Sequence, residues 1–212
     1  MLKRKSPYKK DSNAVAIGLC GAMYSGKDTI ADYIVFKYGF KKFSYSADVL
    51  KPIISLCQGN ETRDVYIRLG VSLDKVFGEY CLDSLLHRRI SLDGGKKVII
   101  PNIRLLNNVN YWKYESRFRF HLILVMAKQN VRLDRWRKMP AEKPLHEYDR
   151  NIKNERDFET LNRKDLKETD LSKLLRTRES DFTIVNNSGL SDLYARIDAI
   201  MDYLKEKPLC EY

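Results

Sequence analysis

Nine residues near the start of the chain, Gly21-Ala22-Met23-Tyr24-Ser25-Gly26-Lys27-Asp28-Thr29, constrain the fold more than any other stretch. They separate an apolar run, Val15 to Cys20, from Thr29-Ile30-Ala31-Asp32-Tyr33-Ile34-Val35-Phe36, whose apolar residues recur at helical spacing. A buried strand that turns through G-x-x-x-x-G-K into a helix leaves backbone N–H groups pointing at whatever lies before the helix N-terminus. Glycine lets that backbone turn and approach an oxyanion closely, and the lysine can reach the β- and γ-phosphates of a nucleotide. The frame predicts an ATP-binding loop with Gly21, Ser25, Gly26, Lys27, Asp28 and Thr29 as its contacts. Asp28 stands where a Ser or Thr commonly offers a hydroxyl to Mg²⁺, and Thr29 follows one place later, so the expected metal ligands are Asp28, Thr29 and, further on, Asp48.

Downstream, short apolar runs alternate with helical patterns. Phe40 to Ser44 reads as a second strand, and Ser46-Ala47-Asp48 opens a helix through Leu50, Ile53, Ile54 and Leu56. Thr62 to Leu86 reads as helical with a break near Gly70. Val98-Ile99-Ile100, Phe120 to Ala127 and Phe182-Thr183-Ile184-Val185 read as further strands, and Gly189 to Leu204 as a closing helix. Such alternation implies a three-layer α/β fold, a parallel sheet flanked by helices. The expected organisation is a flexible basic leader over 1–13 and one domain over 14–212. Between Lys128 and Arg178, 15 Lys/Arg and 10 Asp/Glu occupy 51 residues, which predicts a solvated helical excursion, a charged lid over about 128–178.

Composition narrows the function classes. Hydrophobic residues make up 43% of 212 and charged residues 32%, enough for a folded core and too polar for any run that crosses a bilayer, so no membrane partner is expected. Cys20, Cys57, Cys81 and Cys210 form no C-x-x-C pair and fall at no zinc spacing with His87, His121 or His146, consistent with reduced thiols in a cytoplasmic protein. The leader lacks the long apolar segment of an export signal. A formal net charge of +11 favours anionic partners, a phosphorylated small molecule or a nucleic acid. Nucleic acid is the less favoured of the two, because the positive charge is interleaved with acid and no recognised nucleic-acid module is present.

The G-K-D-T ending of the loop resembles phage-type deoxynucleoside monophosphate kinases and animal-type phosphomevalonate kinases. Ser46-Ala47-Asp48-Val49-Leu50-Lys51 is similar to the F-A-D-P-L-K segment of the deoxynucleotide kinases. Thr62 to Gly70 is similar to their R-x-x-L-Q-x-x-G helix, with the basic residues offset. Val98 to Asn108 resembles their V-I-S-D-V-R-F-P-N-E, keeping Arg104 and Asn107 but with Asn102 for the family Asp and Asn108 for its Glu. Arg132-Leu133-Asp134-Arg135-Trp136-Arg137 follows a strand as the lid helix does in nucleoside monophosphate and dephospho-coenzyme A kinases. Asp181 to Leu190 is similar to their closing D-x-x-I-x-N-D-G-T-L.

The resemblance implies a P-loop NTPase-type fold and an ATP- and Mg²⁺-dependent nucleoside or deoxynucleoside monophosphate kinase. In that reading Lys27, Asp48, Arg132 and Arg135 are catalytic, Asp48, Arg68 and Arg104 bind the acceptor, and Asn186 and Asn187 lie beside adenine. Each has a plainer alternative: Asp48 as a helix N-cap, Asn186 and Asn187 as turn residues, the lid arginines as a solvated face. Arg132 and Arg135, three apart, can share one ligand, whereas Arg137 projects elsewhere. Trp112 and Trp136 read as packing residues, with a lid contact to a base as the alternative for Trp136. Phosphomevalonate kinase and dephospho-coenzyme A kinase remain open within the enzyme class. The two asparagines motivate an alternative outside it, a catalytically degenerate kinase that binds nucleotide or nucleic acid as an interaction protein.

Overall fold

The computed structural model describes residues 11, 13–138, 154–167 and 169–206; nearly all of the leader and the middle of the charged excursion, 139–153, lie outside them. Five strands, β1 (Val15–Cys20), β2 (Lys41–Lys42), β3 (Lys97–Ile100), β4 (Arg119–Met126) and β5 (Phe182–Val185), form one sheet in the order β2-β3-β1-β4-β5. Every pairing is parallel, with Ala16 opposite Val98 on one side of β1 and Phe120 on the other. The strand that feeds the nine-residue loop is therefore the centre of the sheet.

Alternation along the strands makes two cores. Ala16 and Cys20 of β1, Val98 and Ile100 of β3, and Phe120, Leu122 and Leu124 of β4 face one layer of helices. Ile17, Leu19, Ile99, Ile123 and Val125 face the other, made by α1 (Lys27–Tyr38) and α9 (Leu190–Glu206) through Ile30, Ile34, Leu193, Ile197 and Met201. Strands buried on both faces need near-continuous apolar sequence, which is why they are legible as short runs.

The first core is closed by Leu86 and Ile90 of α4 (Cys81–Leu92), Val109 of α5 (Leu106–Asn110) and Tyr111 and Trp112 just after it, with Ile53 of α2 (Lys51–Leu56) at its margin, while α3 (Arg63–Phe77) packs outside it on α4 and the turn before α2. Three expectations change here. The second strand shrinks to Lys41–Lys42, because the Ser44 N–H donates to Asp48 Oδ2 at 2.7 Å and starts a wide turn, Ser46–Leu50, that runs into α2. The break in the long helical stretch falls at Gly78 and not at Gly70. Gly78 has φ 105°, a left-handed conformation that ends α3, whereas Gly70 is buried within α3 where an added Cβ would meet Leu82 at 3.2 Å. The charged excursion contains α6 (Gln129–Arg137), α7 (Glu155–Lys167) and α8 (Leu171–Thr177), and it is not wholly solvated: Phe158, Leu161, Asn162 and Asp165 are buried along one face of α7. No helix among the described residues is long and apolar enough to cross a membrane.

Candidate active site

The carboxyl ends of parallel strands, where the chain departs to opposite sides of the sheet, form a crevice. Here β1 delivers the loop Gly21–Thr29 to that crevice, β3 delivers Asn102 and Arg104, and β4 leads into α6. Gly26, at φ 101°, caps α1, and a Cβ there would come within 2.3 Å of Asn186 Nδ2, so only glycine fits. Lys27 folds over the loop, its Nζ donating to the carbonyls of Gly21 (2.8 Å) and Ala22 (2.9 Å). Burial pulls the Lys27 pKa below its usual value, opposed chiefly by the nearby carboxylate of Asp165.

The loop is clamped from behind. Arg135 donates to the carbonyls of Tyr24 (3.3 Å) and Ser25 (3.2 Å) and to both oxygens of Asn186, while Asn186 Nδ2 donates to the Ser25 carbonyl at 2.8 Å. Arg132 is buried and donates to the Met23 carbonyl (3.3 Å) and to Asn162 of α7 (2.7 Å). These bonds steady a loop in which Tyr24 holds the uncommon φ of 58°. The ring of Phe158 on α7 lies between those of Tyr24 (5.9 Å) and Trp136 (5.6 Å), so Trp136 packs against α7.

Two cavities adjoin this frame. A cleft of about 680 Å³ runs along the loop, lined by Gly21, Gly26, Lys27, Asp28, Thr29 and Arg135 among others. A pocket of about 280 Å³ lies between the Ser46–Leu50 turn, α3 and α4, with Leu50, Ile67, Val71 and Leu82 as its apolar lining and Tyr45, Tyr66 and Asp74 at its polar points. Arg63, Asn102 and Arg104 line both, so they form the partition between the two spaces. Asp165 of α7 sits on this partition: Oδ1 accepts from Arg104 (3.2 Å) and Arg63 (3.3 Å), and Oδ2 accepts the Met23 N–H at 3.2 Å. The segment carrying Arg104 is fixed in turn, since the Asp170 N–H donates to the Arg104 carbonyl (2.9 Å) and the Asp170 carboxylate accepts the Leu106 N–H (3.0 Å).

The residues singled out from sequence therefore separate. Gly21, Gly26, Lys27, Asp28, Thr29, Arg104 and Arg135 come together at the cleft. Ser25 is buried under the loop, with its hydroxyl lacking a hydrogen-bond partner among the described residues, and so offers a ligand no side chain. Asp48 lies inside the turn and reaches back to accept the Ser44 N–H, while the Ser44 hydroxyl accepts the Ala47 N–H, so the capping position is Ser44 and not Asp48; Asp48 lines neither cavity. Arg68 is exposed on α3, paired with Asp64 at 2.9 Å, and also lines neither. Asn186 is spent on the loop, and Asn187 accepts the Lys128 N–H at 2.8 Å, so turn and clamp chemistry account for both. Arg132 turns inward to hold the loop carbonyl rather than a ligand.

Asn108 is buried as well, its amide donating to Asp83 and its carbonyl oxygen accepting from the Leu105 backbone (both 3.0 Å). Of the three expected Mg²⁺ ligands, Asp28 and Thr29 line the cleft and Asp48 does not. Asp28 faces Lys42 at 3.7 Å, an exposed pair that a cation can displace, so this donor set fits the ion. No group of three His, Cys, Asp or Glu side chains fit to hold a metal by themselves occurs among the described residues.

Arg63 and Asp165 were not foreseen. The signal for Asp165 is its spacing on α7: Phe158, Leu161, Asn162 and Asp165 recur at helical spacing, which puts two polar residues on the buried face of a charged helix.

No protein-family model matches the chain, and no curated protein matches it. Solved structures do. TT1252 from Thermus thermophilus matches with TM-score 0.55 and 19% identity over 91% of this chain and 98% of its own. Shikimate kinase from Bacteroides thetaiotaomicron matches with TM-score 0.52 and 13% identity, covering 90% and 98%. Shikimate kinase from Acinetobacter baumannii, solved in complex with shikimate, matches with TM-score 0.51 and 16% identity, covering 92% and 97%. The fold is the one these shikimate kinases share, and its parallel sheet flanked by helices is what the alternation of apolar runs predicted.

Proposed function

We propose that the protein is an ATP-dependent phosphotransferase and, within that class, a nucleoside or deoxynucleoside monophosphate kinase. The observation that carries the proposal is the shared partition: a nucleotide-sized cleft over the phosphate loop and a second pocket meet at Arg63, Asn102 and Arg104. Phosphoryl transfer asks for positioning and charge neutralisation more than for covalent chemistry. The loop amides and Lys27 hold the donor phosphates, and Arg104 with Arg63 neutralises the group in transfer. The apolar pocket between α3 and α4 then takes the body of the acceptor. Mg²⁺, brought with ATP and held by Thr29 and Asp28, supplies further neutralisation of the phosphate charge.

The pocket suits a flat ring such as a nucleobase better than a polyol, because Leu50, Ile67, Val71 and Leu82 offer apolar walls to the faces of a ring while Tyr45, Tyr66 and Asp74 can meet its polar edges. Phosphomevalonate and dephospho-coenzyme A are the runners-up for the same site. A second reading rests on Asn102, which brings an amide to both cavities where the resembled kinases carry a carboxylate. In that reading the protein binds nucleotide without transferring phosphate.

Product formation from ATP·Mg²⁺ with a panel of ribo- and deoxynucleoside monophosphates, phosphomevalonate, dephospho-coenzyme A and shikimate separates the two. Turnover of one nucleotide acceptor that Lys27→Ala abolishes supports the kinase. ATP binding with silence across the panel supports the degenerate form.

A further inference from the structure

Asp165 is a buried carboxylate, its side chain only 6% exposed, and the partners described for it belong to the transfer site. Arg63 comes from α3, Arg104 from the turn after β3, and the Met23 N–H from the phosphate loop, three segments that converge on one pair of oxygens. Two guanidinium groups and a loop amide around an oxygen pair are the donor set that recognises a tetrahedral oxyanion. Lys27, whose charge is also felt at this carboxylate, adds a further cation beside the seat. One carboxylate is less negative than these groups together are positive, so the place retains an appetite for negative charge.

We infer that Arg63, Arg104 and the Met23 N–H form the seat of the phosphoryl group in transfer, and that Asp165 fills this seat as an internal anion which an incoming phosphate displaces. The inference rests on the phosphotransferase reading of the cleft but not on the identity of the acceptor. A phosphate carries up to two charges and more outward oxygens than a carboxylate, so it wins the same donors. Part of its binding free energy is used to expel Asp165. Return of the carboxylate then favours departure of the phosphorylated product. It also explains why a buried acid stands against a loop whose ligand is negative, an arrangement that a purely structural role would make costly.

The test is calorimetric titration of inorganic phosphate into the full-length protein, with no acceptor present. Asp165→Asn, which removes the competing charge, and Asp165→Ala, which also vacates the seat, are expected to bind phosphate about tenfold more tightly than the wild type, and Arg63→Gln added to Asp165→Ala to lose that gain. Equal or weaker phosphate affinity in Asp165 variants that keep a cooperative melt would overturn the inference. If neither Asp165 variant folds, Arg63→Gln alone decides: about tenfold weaker phosphate binding supports the seat, and unchanged binding removes it. Because the probe is inorganic phosphate, a gain in affinity stands even if every nucleotide in the acceptor panel proves inert.

Discussion

The side-chain amide of Asn186 donates to the carbonyl of Ser25 at 2.8 Å, joining the segment after β5 to the underside of the phosphate loop. Asn186 also accepts from Arg135 through its own carbonyl and side-chain oxygens, both at 3.0 Å, so three chain segments meet at one buried residue. Asn186→Ala leaves the Ser25 carbonyl and the Arg135 guanidinium short of a partner in a buried place. A loss of about 1–3 kcal/mol in urea unfolding is expected, with weaker ATP binding measured by titration.

Gly26→Ala strikes the same clamp from the other side. Its Cβ would lie 2.3 Å from Asn186 Nδ2 and its φ of 101° is poor for any side chain. The strained backbone alone costs about 1–3 kcal/mol, and the collision adds to it. Combined with Asn186→Ala the collision disappears while the strained φ persists, so the double variant should lose less stability than the sum of the singles. Urea melts of all four proteins measure that shortfall.

Acceptor and donor binding should separate by mutation. Ile67 lines the pocket and not the cleft, so Ile67→Ser is expected to raise the acceptor KM about tenfold while leaving ATP affinity unchanged. A parallel change in both constants would mean that the pocket is not where the acceptor body sits.

Asp83 gives a pH prediction. It is buried beneath the pocket, accepting from Tyr45, Trp112 and Asn108, and burial raises its pKa to about 6 against those hydrogen bonds. A carboxyl with a higher pKa folded than unfolded binds more protons in the native state between the two values. Stability from this group is therefore greatest below about pH 4 and falls as pH rises to about 6, by about 3 kcal/mol in all. Urea unfolding of wild type and Asp83→Asn between pH 4 and 7 should show the wild type losing ground to the variant across that window. Parallel curves would contradict it.

The phosphate loop is legible in sequence because every requirement is local: strand, two glycines, lysine and helix follow one another without help from the rest of the chain. Arg104 is legible for a related reason, since it follows directly on a strand whose apolar run is unmistakable. Arg63 and Arg68 show where this stops. Five residues on a helix are about 140° apart around its axis, so one faces the partition and the other the solvent. Nothing local says which, because α3 also leaves Val71, Val76 and Phe77 exposed, so its apolar residues do not mark the buried side. Asn186 and Arg132 were found as residues but not as contacts: their partners, Ser25 and Met23, lie far away in the chain and are fixed by tertiary packing, whereas Asp48 meets Ser44 within its own turn. Asp165 was hidden by its neighbours, one acid within a segment where acid and base are everywhere.

The sheet order has a consequence for how such a protein can change. Because β3 and β4 both pair with β1, Arg104 and the phosphate loop are spaced by one backbone ladder, in which Gly18 lies opposite Ile100 on one side and Leu122 on the other. In the proposed reaction the reach between the loop and Arg104 would be set by main-chain hydrogen bonds, while the fit of an acceptor would be set by side chains on α3, α4 and the turn before α2. Substitutions at the apolar positions of those helices would change the acceptor without touching the transfer seat, Arg63 of α3 excepted. Choice of substrate and execution of the proposed transfer would then draw largely on different parts of the same small domain.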